Sequence, residues 1–120
     1  MSYAMSYWND TISLFKRTEN ENGIFWEKQV INNCFVKVEN GYKYNNDVGK
    51  ADNVLLARIP KTDISVNKND IVSLDNNIEI DETIKGKRSS DLIGENKVFK
   101  IDFVRKNFKI EPKHILIKGI

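Results

Sequence analysis

The stretch Asn69-Asp70-Ile71-Val72-Ser73-Leu74-Asp75-Asn76-Asn77-Ile78-Glu79-Ile80-Asp81 shows most clearly how this chain is built. Two short apolar runs, residues 71–74 and 78–80, flank a polar turn at 75–77. Asn and Asp tolerate left-handed backbone angles and bond to their own main chain, so a tight reversal is favourable there. The pattern predicts a β-hairpin, and the rest of the chain is expected to supply further strands around it.

Alternating or β-branched apolar residues predict strands on both sides of this hairpin. The predicted strands are residues 11–16, 24–31, 34–38, 53–59, 97–105 and 114–117. Asn32 and Asn33 are expected to separate the second strand from the third, and Pro60 is expected to end the fourth.

Side-chain alternation also predicts which residues face the core. Phe99, Ile101 and Phe103 are expected on one face of their strand, and Ile115 and Ile117 are expected to point inward. Residues 89–94 read as one helical turn with a Ser cap and a terminating Gly. We therefore predict a mainly β fold, a single small barrel or sandwich of about seven or eight mostly antiparallel strands with one short helical turn and a long loop.

The long loop is predicted at residues 40–52, which are rich in Gly, Asn and charged residues. Long loops inside compact domains often carry function, and Tyr42 and Tyr44 are suited to a protein contact surface. The alternative is an extended hairpin whose tyrosines lie back on the barrel.

Length and composition predict one domain. A chain of 120 residues with 40% hydrophobic and 30% charged residues can bury a modest core. Residues 1–4 nearly duplicate residues 5–8, so residues 1–8 are expected to be a flexible extension and residues 9–120 the barrel domain. No signal peptide or membrane span is expected, and the lone Cys34 favours a reducing compartment.

The charges are distributed unevenly, although the net charge is only +2 and does not by itself indicate nucleic-acid binding. Residues 63–82 hold six acids and one lysine, a local charge of −5, whereas residues 97–120 hold seven Lys/Arg and two acids, a local charge of +5. Either these are solvated surfaces, or an acidic patch on one subunit meets a basic strand on the next in a symmetric ring.

No set of residues predicts catalysis, a cofactor or a metal site. His114 has no second ligand or base at a recognisable spacing and is expected to be structural, while Cys34 is expected to be a core residue. Glu79 and Asp81 would share one face of a strand, where they either bridge a cation or form a solvated strand edge. Trp8 and Trp26 are expected to be core or interface anchors. Because no catalytic set of residues is recognisable, we do not expect an enzyme.

The order of several pieces resembles small proteins of tailed-phage and prophage morphogenesis clusters, of the head–tail connector (stopper, or head-closure) type. The pieces are an opening strand at 10–12 leading to Phe25-Trp26, a patch at 30–35, a strand ending Arg58-Ile59-Pro60, residues 69–72, residues 78–81, Ser90-Asp91-Leu92, and a final strand opened by His114. Together they cover most of the chain from residue 9 onward.

This resemblance implies a non-catalytic β-barrel in the virion, assembled in the cytoplasm of the bacterial host as a hexameric or dodecameric ring around the DNA channel. It would dock the tail to the portal–adaptor complex, contact tail-terminator or tail-tube proteins, touch packaged DNA passively and involve no membrane. The expected contact residues are Tyr42, Lys43, Tyr44 and Asp47 on the loop, Tyr7 and Trp8 near the N-terminus, Glu79 and Asp81, and Arg105 and Lys109.

Three other interpretations stay open. One is another neck or tail-completion component. A second is a nucleic-acid-binding β-barrel that uses the basic residues of 97–118 together with Phe99, Phe103 and Phe108. The third, a hydrolase of cell wall or nucleic acid, predicts that activity is lost on His114→Ala.

Overall fold

The computed structural model describes residues 8–42, 51–93, 97–109 and 111–120. These residues form β1 (Asp10–Asn20), β2 (Gly23–Tyr42), β3 (Ala51–Ile59), β4 (Ile71–Ser73), α1 (Ser89–Leu92), β5 (Val98–Asn107) and β6 (His114–Gly119). Every neighbouring pair is antiparallel, and the strands close into a barrel in the order β1-β2-β3-β6-β5-β4. The predicted mainly β barrel is confirmed, with six strands in the described part of the chain instead of about seven or eight.

One long strand, β2, replaces the two strands predicted at 24–31 and 34–38. Asn33 takes a positive φ of 61°, and the register with β1 shifts so that Asn32 and Asn33 lie opposite Thr11 alone. This is a β-bulge, which bends a strand without ending it. The first half of β2 therefore pairs with β1 and the second half with β3.

The barrel interior includes Ile115 and Ile117, the two side chains that were predicted to point inward. Both are fully buried and lie opposite Ile59 and Ala57 in the β3–β6 ladder. From β1 and β2 the core receives four further buried residues, Ile12, Leu14, Ile31 and Cys34.

The face predicted for Phe103 on β5 is wrong. Phe99 and Ile101 share a buried face, but a register shift between Ile101 and Phe103 turns Phe103 outward, where it is 40% exposed. Val104 packs against the core in its place. A bulge changes the phase of side-chain alternation, and sequence periodicity does not reveal it.

The predicted hairpin at 71–80 is wrong. β4 covers only Ile71–Ser73 and pairs with β1 on one side and β5 on the other, while residues 78–80 are not a strand. Ile80 is buried because it packs with Phe15, Ile71 and Val98 in a second hydrophobic cluster. The apolar residues at 78–80 therefore indicate a buried irregular segment and not a strand.

Residues 74–93, here called the covering segment, lie over the outer side of β1, β4 and the start of β5. Phe15 and Ser13 of β1 point away from the barrel interior yet are buried, because this segment covers them. The Ser13 hydroxyl donates to Asn76 Oδ1 at 2.7 Å, and Lys28 Nζ donates to the Asn76 carbonyl at 2.7 Å. One side of the barrel thus has a second layer.

The predicted helical turn is present, but its predicted Ser cap is wrong. Arg88 occupies the N-cap position of α1 and makes no side-chain cap hydrogen bond. Ser89 instead donates from its backbone N–H and hydroxyl to the Glu82 carboxylate, at 2.7 and 3.2 Å. The predicted terminator Gly94 lies outside the described residues.

The β2–β3 hairpin extends past the barrel. Paired residues continue from Glu39↔Val54 to Tyr42↔Ala51, whereas β6 pairs with β3 only as far as Leu55↔Gly119. We call residues 39–42 and 51–54 the arm. Both ends of the predicted long loop, residues 40–42 and 51–52, are therefore paired strands. Residues 43–50 lie outside the described part of the chain.

Candidate functional site

The outer side of β2, β3, β6 and β5 carries two rows of side chains, which we call the open face. In antiparallel sheets, residues directly opposite each other project to the same side. The cross-strand register therefore places eight residues on this side, in the rows Phe35, Arg58, Leu116, Arg105 and Lys37, Leu56, Lys118, Phe103. Lys37, Phe103, Arg105 and Lys118 are exposed, and the other four are half-buried.

Cations and apolar groups alternate across the open face. Within each row a basic residue stands beside an apolar one, and the second row is offset from the first. Arg58 lies over the Phe35 ring at 5.3 Å, and Lys118 lies over the Phe103 ring at 5.2 Å. Such cation–π contacts hold the long basic side chains against the sheet while leaving their charge at the surface.

One acid touches the edge of this surface. Glu39, next to the row of Lys37, forms an ion pair with Lys37 at 2.9 Å. The hydrogen bond and charge of Lys37 lower the pKa of Glu39. None of the eight open-face residues is acidic, so Arg58, Arg105 and Lys118 leave the face net positive.

Several acids of residues 63–82 have partners within the chain. Buried Asp70 accepts the backbone N–H groups of Arg17 at 3.0 Å and Asn67 at 2.9 Å. Glu79 pairs with Lys28 at 3.0 Å. These carboxylates therefore also contribute hydrogen bonds and an ion pair within the chain.

Asp81 and Glu82 organise the covering segment. Hydrogen bonds from the Thr83 hydroxyl and backbone lower the pKa of Asp81. Burial works to raise the pKa of Glu82, but hydrogen bonds from Ser89 and Trp26 Nε1 lower it on balance. The predicted core or interface anchor Trp26 is therefore half-buried and bonded within the chain.

His114 is structural in this fold. Asn107 Nδ2 donates to its Nε2 at 3.1 Å, so Nδ1 carries the proton and donates to the Pro112 carbonyl at 2.7 Å. Both ring nitrogens are occupied, and the buried ring packs edge-to-face with Trp8, with centroids 5.4 Å apart. Trp8 is itself buried, which is one of the two positions, core or interface, that were predicted for it, and residues 1–7 of the predicted extension lie outside the described residues.

Cys34 is a buried core thiol, as predicted. Burial, and secondarily the charge of Asp10, raises the pKa of Cys34 to about 12, which keeps the thiol protonated at neutral pH. Among the described residues no three His, Cys, Asp or Glu side chains are placed to hold a metal ion.

A shallow cleft of about 360 Å³ lies between the β1–β2 hairpin and α1. Arg17, Lys100, Trp26 and Ile71 are among its lining residues. Its one hydroxyl, that of Ser89, already donates to Glu82. The described lining residues include no Cys, His, Asp or Glu.

The structure brings together only some of the predicted contact residues. Arg105 is on the open face, Lys109 is exposed in the β5–β6 turn, and Glu79 and Asp81 lie on the covering segment. The Tyr42 backbone ends β2 opposite Ala51, while Tyr7, Lys43, Tyr44 and Asp47 lie outside the described residues. Sequence reasoning missed Phe35, Lys37, Leu56, Arg58 and Leu116, because only the register between strands brings them together.

No family model, no curated protein and no solved structure matches this chain. Within the described residues, no helix has the length and apolar character needed to span a membrane.

Proposed function

We propose that this protein is a non-catalytic assembly subunit, of the head–tail connector type found at the phage neck, which associates with copies of itself through its projecting arm. The observation that carries the proposal is the arm itself, a two-stranded ladder that continues beyond the barrel. The sequence resemblance to stopper proteins supports the ring form, the portal–adaptor and tail partners, and the virion location.

The arm offers the chemistry of strand addition. Residues 51–54 pair with β2 on one side, and the described part of β6 does not reach them on the other. Unpaired backbone N–H and C=O groups along a strand edge are a template for a strand of another chain. Four residues in extended conformation span about 13 Å, at roughly 3.3 Å per residue.

Side chains at the base of the arm favour a protein contact. Val54 is half-buried and faces Glu39 across the ladder, and Val38 in the neighbouring pair is 41% exposed. Burying such apolar groups between subunits stabilises association by roughly 25 cal/mol per Å² of apolar surface. The arm therefore combines a hydrogen-bonding edge with an apolar base.

The test is the mass of the assembled protein. Native mass spectrometry or mass photometry of the purified chain is expected to show a ring, with six or twelve copies on the connector hypothesis. Val54→Lys is expected to leave the monomer folded, since the new lysine faces Glu39, and to reduce assembly, since lysine on a strand edge opposes pairing.

Val30→Lys is the matched control, because Val30 is 50% exposed on the first half of β2, away from the arm. It is expected to assemble like the unmodified protein. A chain that stays monomeric at every concentration, or equal loss of assembly in both variants, would rule out the arm as the interface. Imaging the protein in an intact particle separates a stopper from a tail-completion protein.

A further inference from the structure

We propose that the open face binds single-stranded nucleic acid, with its cations contacting phosphates and its exposed aromatic ring contacting bases. The proposal rests on the face alone and does not depend on the assembly role. Its basis is the offset pattern of the two rows, in which apolar side chains stand between cations on the outer surface of four neighbouring strands.

The positive charge of the open face favours binding to a polyanion. Arg58, Arg105 and Lys118 lie on three adjacent strands, so their charges span the sheet transversely to the strands. Lys37 is held by Glu39 and is expected to contribute less. Three phosphate contacts to a single strand predict a slope of about −2 for log K against log salt, at roughly 0.7 per contact.

The apolar groups of the open face favour single-stranded nucleic acid over other polyanions. Phe103 is 40% exposed beside Lys118, and the Arg58 guanidinium is layered on Phe35. Aromatic rings and guanidinium planes on a sheet are the groups on which unpaired bases stack. An acidic protein surface would use the cations alone, and a duplex keeps its bases paired and stacked, so that their faces cannot contact the Phe103 ring.

Fluorescence anisotropy with a labelled oligothymidylate provides the measurement. Binding is expected at low salt and is expected to weaken about 20-fold between roughly 50 and 200 mM salt, the change that a slope of about −2 gives. The corresponding duplex and polyglutamate are expected to bind more weakly. No binding of the single strand at low salt, or equal binding of polyglutamate or duplex, would overturn the proposal.

Charge variants test whether the open face is the site. Arg105→Gln combined with Lys118→Gln is expected to reduce the salt slope to about −0.7, since one phosphate contact remains. Lys85→Gln combined with Lys87→Gln removes the same charge from exposed residues of the covering segment and is the control. Unchanged circular dichroism establishes folding, and an equal loss of binding in both double variants would refute the site.

Aromatic variants test stacking separately from charge. Phe103→Ala is expected to weaken binding at least about fivefold at every salt concentration, with an unchanged salt slope. Phe25→Ala is the control, because Phe25 is 47% exposed on the β1–β2 hairpin, outside the open face. Unaltered binding by Phe103→Ala would show that bases do not contact this ring, contrary to the proposal.

Discussion

At the scale of single residues, most polar side chains with defined partners serve the fold. Asp70 joins β1 to the segment before β4, Glu82 receives Ser89 and Trp26, and His114 bridges Asn107 and Pro112. Buried polar groups need partners because an unpaired one costs about 1–3 kcal/mol. The hydrogen bonds from β1 to Asp70 and from Trp26 to Glu82 connect segments that are distant in sequence and so contribute to the stability of the barrel.

Glu82 gives a prediction about pH. Its pKa is lowered in the folded protein, so its stabilising contribution is present above the ordinary glutamate pKa and is lost as pH falls through the folded-state value. Glu82→Gln is therefore expected to lower the free energy of unfolding at neutral pH and to lower it less in acid. Urea unfolding at pH values above and below the ordinary glutamate pKa measures this difference.

Glu21→Gln, at the exposed turn between β1 and β2, is the control for Glu82. It is expected to leave the free energy of unfolding nearly unchanged at both pH values. A difference between the unmodified protein and Glu82→Gln that stays constant across the pH range would contradict the role assigned to the Glu82 carboxylate.

At the scale of elements, β6 requires a glycine at position 119, where it packs closely against β5. A Cβ on Gly119 would lie 2.8 Å from Phe99 Cβ and 3.3 Å from the Lys100 carbonyl oxygen. Gly119→Ala is expected to destabilise the protein by about 1–3 kcal/mol, since neither β5 nor the core can move freely. Lys118→Ala, one residue earlier and pointing outward, is expected to cost much less in the same denaturation measurement.

Prediction of the strands from sequence succeeded where inward and outward side chains alternate regularly. It failed at the β-bulges and in the covering segment. Ile115 and Ile117 were correctly expected inside, because β6 is regular from His114 to Gly119. Phe103 was expected on the same face as Phe99 and Ile101, but the register shift in β5 places it on the opposite, outer face. Ile78 and Ile80 resemble a strand in sequence, because an irregular segment that packs on Phe15 also needs spaced apolar residues.

The open face could not be predicted from the sequence, for a different reason. Its residues come from four strands, and no short window of the chain contains more than two of them. Sequence reasoning did note Phe103 and Arg105 within a basic region, but the partners Arg58 and Phe35 depend on the β2–β3 register. Long-range pairing is set by the closed barrel and is not visible locally.

At the scale of the whole molecule, the described chain has two hydrophobic cores of unequal size. The barrel interior includes thirteen buried residues, and the cluster beneath the covering segment includes four. Ile117→Asp is expected to prevent folding, since a carboxylate would be placed without a partner in the interior. Ile80→Asp is expected to loosen the covering segment while the barrel persists.

Hydrogen exchange distinguishes these two outcomes. In Ile80→Asp, amides of residues 74–93 are expected to exchange faster while those of β3 and β6 keep their protection. If β3 and β6 lost protection to the same extent, the two cores would form one cooperative unit, against this expectation.

The continuity of β2 has a mechanical consequence. Its twenty residues pass from the β1 ladder, through the bulge at Asn33, into the arm. A force applied at the end of the arm would therefore act along the β2 backbone, and many inter-strand hydrogen bonds would share it. A neighbouring subunit pulling on the arm would strain these hydrogen bonds together and would not break them one after another.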